Sequence, residues 1–317
     1  MTIHKPVLLK EVLEGLNLKK GSVVVDATLG GGGHSIEILK RIGNEGKLIA
    51  IDADTKAIEN FEKNLQRQTE GLPPKAGNFL VKDNFANLKI ILGGLGIKSV
   101  DAILADLGYS SDQLADKKKG MSFMNDSELD MRFDQTLGTS AREIINNYIQ
   151  EDLEKIIKEY GEERFAKSIV RKIVEYRKDK EIKSTFELTE IIISAIPERY
   201  RYRKINPATK TFQALRIEVN KELENLEKFI PQAVDVLSTG GRLGIITFHS
   251  LEDRIVKNIM RENARGCICP PDFPECRCGH KAKVKLITKK PKTPSTQEIK
   301  ENSRARSAKL RICEKIK

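Results

Sequence analysis

The segment Val23-Val24-Val25-Asp26-Ala27-Thr28-Leu29 runs straight into four glycines, Gly30 to Gly33, and then into His34-Ser35. Three β-branched residues read as a buried strand, and apolar positions at helical spacing over 34–42 read as a helix. A glycine turn between them lets backbone approach a ligand closely. In dinucleotide sites this place holds G-x-G-x-x-G, and the helix N-terminus takes a pyrophosphate. Here the strand ends on an acid, Asp26, and that spacing is absent. An acid repels a pyrophosphate and suits a cation. The pattern therefore predicts a ligand with an ammonium and an adenosine but no phosphate, of which S-adenosylmethionine is the example. The next strand, 47–52, ends at Asp52, placed to accept both ribose hydroxyls.

Strands at 23–27, 47–52, 78–83 and 100–108 alternate with helical patterns at 34–42 and 55–68. That rhythm predicts an α/β protein with a doubly wound parallel sheet. It breaks over 113–205, where helical patterns at 140–160, 162–178 and 185–197 carry no strand between them. It resumes with a helix at 208–238, a strand at 240–248, a helix at 250–260 and two alternating strands in "KVKLITKK" and "SAKLRICEKI". The expected organisation is a discontinuous sheet domain, 1–112 with 206–317, interrupted by a helical insertion at 113–205.

Net charge is +11, and it is uneven. Residues 281–317 hold 13 lysines and arginines against three glutamates, and residues 164–204 hold 12 against six acids. This favours a polyanion partner, nucleic acid first, although charge alone names none. Arg171, Lys172, Arg201 and Arg203 are candidate phosphate contacts. The longest apolar runs are too short to span a bilayer. The first residues show no basic segment followed by a long apolar one, so a cytoplasmic protein with no membrane partner is expected.

Several motifs taken together resemble one family. They are "HKPVLLKEV" (4–12), "DATLGGGGHS" (26–35), "DLGYSSDQL" (106–114), "KGMSFMNDSELDMRFD" (119–134), "NPATKTFQALRIEVNKEL" (206–223), "FHSLEDR" (248–254) and "RARSAKLR" (304–311). In this order they are similar to the bacterial 16S ribosomal RNA cytosine-N4 methyltransferases, the MraW family. Lys119, Glu128 and Phe133 stand where that family usually has Arg, Pro and Met. The resemblance implies a class I S-adenosylmethionine-dependent methyltransferase fold with an inserted all-helical domain. It implies a cytosine in the decoding region of 16S ribosomal RNA, in the small ribosomal subunit, as substrate. It also implies cofactor contacts at Gly32, Gly33, His34, Asp52, Phe85, Asp106 and Gln113.

The amine of cytosine is a poor nucleophile because its lone pair conjugates with the ring. Many amino-methyltransferases help it with an Asp/Asn-Pro-Pro-aromatic turn after the fourth strand. "DLGYS" has Asp106 and Tyr109 in the outer positions but neither proline. Asp106 is expected to face the methyl and the amine, and Tyr109 to border the flipped base. The plainer alternative is that Asp106 only holds cofactor and Tyr109 only packs. In "FHSLEDR" the Ser-His-acid neighbours are too close in sequence to suggest a hydrolase. Ser250 reads as a helix N-cap with Asp253 three residues on. A dehydrogenase is disfavoured by Asp26, and a ribosome assembly factor is the competing class.

Four of the five cysteines, Cys267, Cys269, Cys276 and Cys278, form C-x-C, six residues, C-x-C. Prolines between the pairs favour a turn that brings them together. The set suits a structural zinc, against the alternative of a reduced loop that binds nothing. Cys313 is expected in the core.

Overall fold

The computed structural model describes residues 6–68, 78–109, 113, 114, 116, 119–136, 138–201, 206–270, 273 and 275–316. The chain divides into two compact units, 1–108 with 223–317 and 109–222. Among the described residues no helix is long and apolar enough to cross a membrane.

The first unit is built on a seven-stranded sheet. Its strands are β1 (Val23–Asp26), β2 (Lys47–Asp52), β3 (Phe79–Lys82), β4 (Val100–Asp106), β5 (Leu237–Thr247), β6 (Val284–Leu286) and β7 (Lys309–Lys315). The order across the sheet is β3-β2-β1-β4-β5-β7-β6. The first five run parallel, and β7 enters antiparallel to both neighbours. Strand order reverses between β1 and β4, the switch point at which open α/β sheets form a crevice. The parallel strands are apolar along nearly their whole length because both faces are covered. One face packs on the helices Leu88–Gly94 and Glu222–Val236, the other on Leu9–Leu16 and Gly33–Ile42. β7 serves both layers: Leu310 and Ile312 join one, Cys313 the other. Cys313 is fully buried, as a core cysteine should be.

The second unit is helical, with Ala141–Asn147, Gln150–Glu159, Ala166–Tyr176, Thr185–Ala195 and Thr209–Asn220 around their own apolar core. Ser140 and Ser184 start two of these helices as capping boxes with Glu143 and Glu187. The buried Lys119 donates to the carbonyl of Phe133 at 2.8 Å, so two positions that depart from the family pattern hold each other. Gly120 has φ +58, and a Cβ there would lie 1.9 Å from the Glu128 carbonyl oxygen. The turn therefore closes only with glycine.

Several expectations are corrected. The helix expected at 208–238 is two helices, Thr209–Asn220 and Glu222–Val236, because Lys221 takes the left-handed conformation at φ 50. The first of these belongs to the helical unit, which moves the return to the sheet from 206 to 223. The pattern at 140–160 is likewise two helices, parted where Tyr148 is extended. The helices Leu9–Leu16 and Leu88–Gly94 were not anticipated. The boundary residue Asp112 and Arg203 lie outside the described residues.

Candidate active site at the carboxyl edge of the sheet

Three adjacent strands, β2, β1 and β4, each end on a carboxylate: Asp52, Asp26 and Asp106. Asp26 is almost wholly buried. One of its oxygens accepts from Ser35 Oγ at 2.6 Å and the other from the Thr28 N–H at 3.2 Å. It thus ties the glycine turn to the start of the helix Gly33–Ile42. Burial pushes its carboxyl up to about 7, although both hydrogen bonds oppose this, and the charge of Asp52 adds to the rise. Asp52 accepts from the Gly30 N–H at 2.8 Å and from the Asp54 N–H at 2.8 Å. Those bonds fix the carboxylate at the rim of the turn.

Asp106 is held by its backbone, whose N–H donates to Thr28 Oγ1 at 2.6 Å. Its Oδ1 is buried with no hydrogen-bond partner. Its Oδ2 lies 3.6 Å from His34 Nδ1. Burial raises its carboxyl well above the usual aspartate range, and the charges of Asp26 and Glu252 push the same way. The buried His34 places Nε2 2.9 Å from the Val7 carbonyl oxygen. A carbonyl only accepts, so Nε2 carries a proton, and Nδ1 is the nitrogen that faces Asp106.

The glycines serve this site in an unexpected way. Gly32 has φ +74 and caps the helix, and a Cβ there would meet the Phe61 ring at 2.2 Å. Gly33 would meet Pro6 at 3.0 Å. A side chain at Gly32 would therefore strike the core beneath the turn, and not the ligand side as the sequence suggests. Phe85 begins the turn after β3, capped by Asn84, and its ring meets Phe229 edge-on with centroids 5.1 Å apart.

The helix after β5 departs from its sequence reading. His249, not Ser250, is its N-cap residue, and Glu252 is the acid at the third helical position. Glu252 is buried and accepts from the N–H groups of Phe248 at 2.8 Å and His249 at 3.3 Å. Asp253 turns the other way, to Arg311 at 2.6 Å and Lys309 at 3.3 Å. Thr28, Ser35, Phe61 and Glu252 thus belong to the site or its support and were missed. The signal for Thr28 and Ser35 was in the chain, since both flank the glycines. Which of Glu252 and Asp253 faces inward depends on helix phase, and the one-residue shift of the cap inverts it.

In the helical unit, Tyr109 is 36% exposed, and the Arg216 guanidinium lies over its ring at 4.9 Å. Arg216 is itself held by both oxygens of Glu222, at 2.8 and 2.9 Å. Gln113 is buried in that unit. A depression of about 520 Å³ is lined by Gln150, Arg171, Lys172, Val174, Glu175 and Lys178. Arg201 is engaged otherwise: its guanidinium donates to the Ile196 carbonyl at 2.8 Å at the end of a helix.

A mostly parallel sheet with this strand order, an antiparallel seventh strand inserted beside β5, and a glycine turn flanked by strand-end acids defines the Rossmann-like fold of class I methyltransferases. The model of the MraW methylase family matches residues 1–316, and the chain belongs to that family. Relatives named ribosomal RNA small subunit methyltransferase H come from several bacteria. The Finegoldia magna protein is 50% identical over 314 residues, covering 99% of this chain and 98% of the relative. That of Halothermothrix orenii is 49% identical over 316 residues, covering 100% and 99%. Among solved structures, an rRNA methylase from Streptococcus thermophilus aligns over 100% of both chains with 12% identity and a TM-score of 0.44.

Proposed function

We propose that the chain transfers a methyl group from S-adenosylmethionine to the N4 amine of a cytosine in the decoding region of 16S ribosomal RNA, acting in the cytoplasm on the small subunit. The observation that carries this reading is the row Asp52, Asp26, Asp106 across the switch point, with Asp106 Oδ1 buried and unpartnered. Three acids in one crevice suit a ligand that brings positive charge and donors. Asp52 would take the ribose hydroxyls, Gly32, Gly33 and His34 would line the turn with backbone, and Phe85 would flank the adenine. Gln113 is proposed as a further contact by family resemblance. The cofactor supplies an electrophilic methyl on a sulfonium.

The rest of the chemistry falls to the chain. Asp106 accepts a hydrogen bond from the target amine and draws its lone pair out of ring conjugation. As the new N–C bond forms at the expense of the methyl–sulfur bond, the nitrogen loses a proton. A carboxylate made more basic by burial and by the charges of Asp26 and Glu252 takes it, with His34 Nδ1 beside it. Tyr109, held by Arg216, would border the flipped base. Arg171, Lys172 and Lys178 give the helical unit a basic depression suited to RNA phosphate.

The test is transfer of labelled methyl to small subunits that lack the mark, followed by nucleoside mass spectrometry. N4-methylcytidine is expected. Binding to subunits without any transfer would overturn the reading in favour of an assembly factor.

A further inference from the structure

The segment between the helix Ser250–Asn263 and β6 has no part in the chemistry above, yet it is organised around sulfur. The Sγ atoms of Cys267, Cys269, Cys276 and Cys278 all lie within 4.8 Å of one another. Two of the separations are 3.7 Å (Cys267–Cys278) and 3.6 Å (Cys276–Cys278). Four sulfurs around a tetrahedral zinc, each about 2.3 Å from the metal, stand about 3.8 Å apart. The backbone points toward the same centre. The N–H groups of Ile268, Cys269, Arg277 and His280 each donate to a cysteine sulfur at 3.4 Å. Such N–H groups orient sulfur ligands in metal sites.

His280 is turned away, with Nε2 3.1 Å from the Glu262 carbonyl. The donor set is therefore four sulfurs and no imidazole. The segment is also closed at its base, where the Lys283 N–H donates to the Asn263 carbonyl at 2.8 Å, and at its tip, where Phe273 N–H donates to Pro270 carbonyl at 3.1 Å.

We propose that these four cysteines bind one zinc ion in a closed four-thiolate site. Four sulfurs in tetrahedral array select zinc or iron. Zinc has no redox chemistry of its own, which suits a site in which three of the four cysteines are exposed. Four ligands leave no open position, so the ion is structural and fixes the 264–283 segment. The proposal stands apart from the methyl-transfer reading, and its test needs no RNA.

The full chain, expressed and purified without added metal or chelator, should contain about one zinc per chain by elemental analysis. A mercurial titrant should release it at four thiol equivalents. Cobalt exchange should give sulfur-to-cobalt charge-transfer bands and intense tetrahedral d–d bands. Cys267→Ser with Cys276→Ser should lose the ion and open the segment to protease, whereas Cys313→Ser should keep it. Should the double variant fail to fold, the cobalt spectrum of the parent protein decides. Iron in place of zinc, a metal content below about a tenth of the chain, or zinc retained by the double variant would each overturn the proposal.

Discussion

The acids of the sheet unit and the bases of the helical unit behave in opposite ways. Asp26 and Asp106 are sunk at strand ends, and burial lifts both. Arg171 and Lys178 stand at a surface depression, with Glu175 bonded to Lys172 as the one acid among its lining. A buried acid works only in one place and one geometry, because its environment sets its proton affinity. An exposed base needs only to be near a phosphate. The first kind of site should break on the loss of a single atom, and the second should fade charge by charge.

The largest effect is expected at Asp106. Asp106→Asn should lower methyl transfer by roughly 10²- to 10⁴-fold, the range for a positioned acid or base, well beyond any loss of cofactor affinity. Single-turnover rates and titration calorimetry check the two halves separately, and full turnover in the variant would reduce Asp106 to a holding role.

Next is pH. The Asp26 carboxyl, raised from 3.8 to about 7, keeps its proton better in the folded, ligand-free chain than in the unfolded one. Its contribution is therefore complete below pH 4 and lost as pH rises toward 7, on the order of 4 kcal/mol over the whole window. Melting of the ligand-free protein should shift downward between pH 5 and pH 8, and Asp26→Asn should flatten that slope. An unchanged slope in the variant would place the pH dependence elsewhere.

Gly32→Val should cost roughly 3 kcal/mol of stability, through overpacking on Phe61 and strain at positive φ. Denaturant unfolding measures it. The same variant would be a poor reporter of cofactor contact, since the fold suffers first. Asp52→Ala is the cleaner probe there.

The smallest effect is on the basic side. Charge reversal at Arg171, Lys172 and Lys178 should weaken subunit binding about tenfold or more and flatten its salt dependence. S-adenosylmethionine affinity should not move. Arg201 is better left alone in this test, because its guanidinium caps a helix end. A salt slope equal to that of the parent protein would remove this depression from the RNA surface.

The two kinds of site were also unequally legible. Strand rhythm, the glycine turn and the acids Asp26 and Asp52 stand in the sequence as local patterns, and the sheet follows them. Phe61 under Gly32 was invisible, since its partner lies on another helix far along the chain. The break at Lys221 carried no glycine or proline to announce it, and the apolar pattern runs on across it. Glu252 was hidden by its neighbour Asp253, because either could be the inward acid until the cap was fixed. Arg201 counted as one more positive charge, and only the fold shows it spent on a carbonyl. Composition reports how many bases there are, but contacts decide which are still available.

The row of acids has one more consequence, which concerns leaving rather than arriving. For a ligand whose positive charge disappears on reaction, as a sulfonium does when it becomes a thioether, Asp52, Asp26 and Asp106 lose the cation that had separated them electrically. The crevice then holds a neutral guest among mutually repelling carboxylates. Spent cofactor would thus be held less tightly than the fresh molecule, because the attraction between cation and carboxylates is gone.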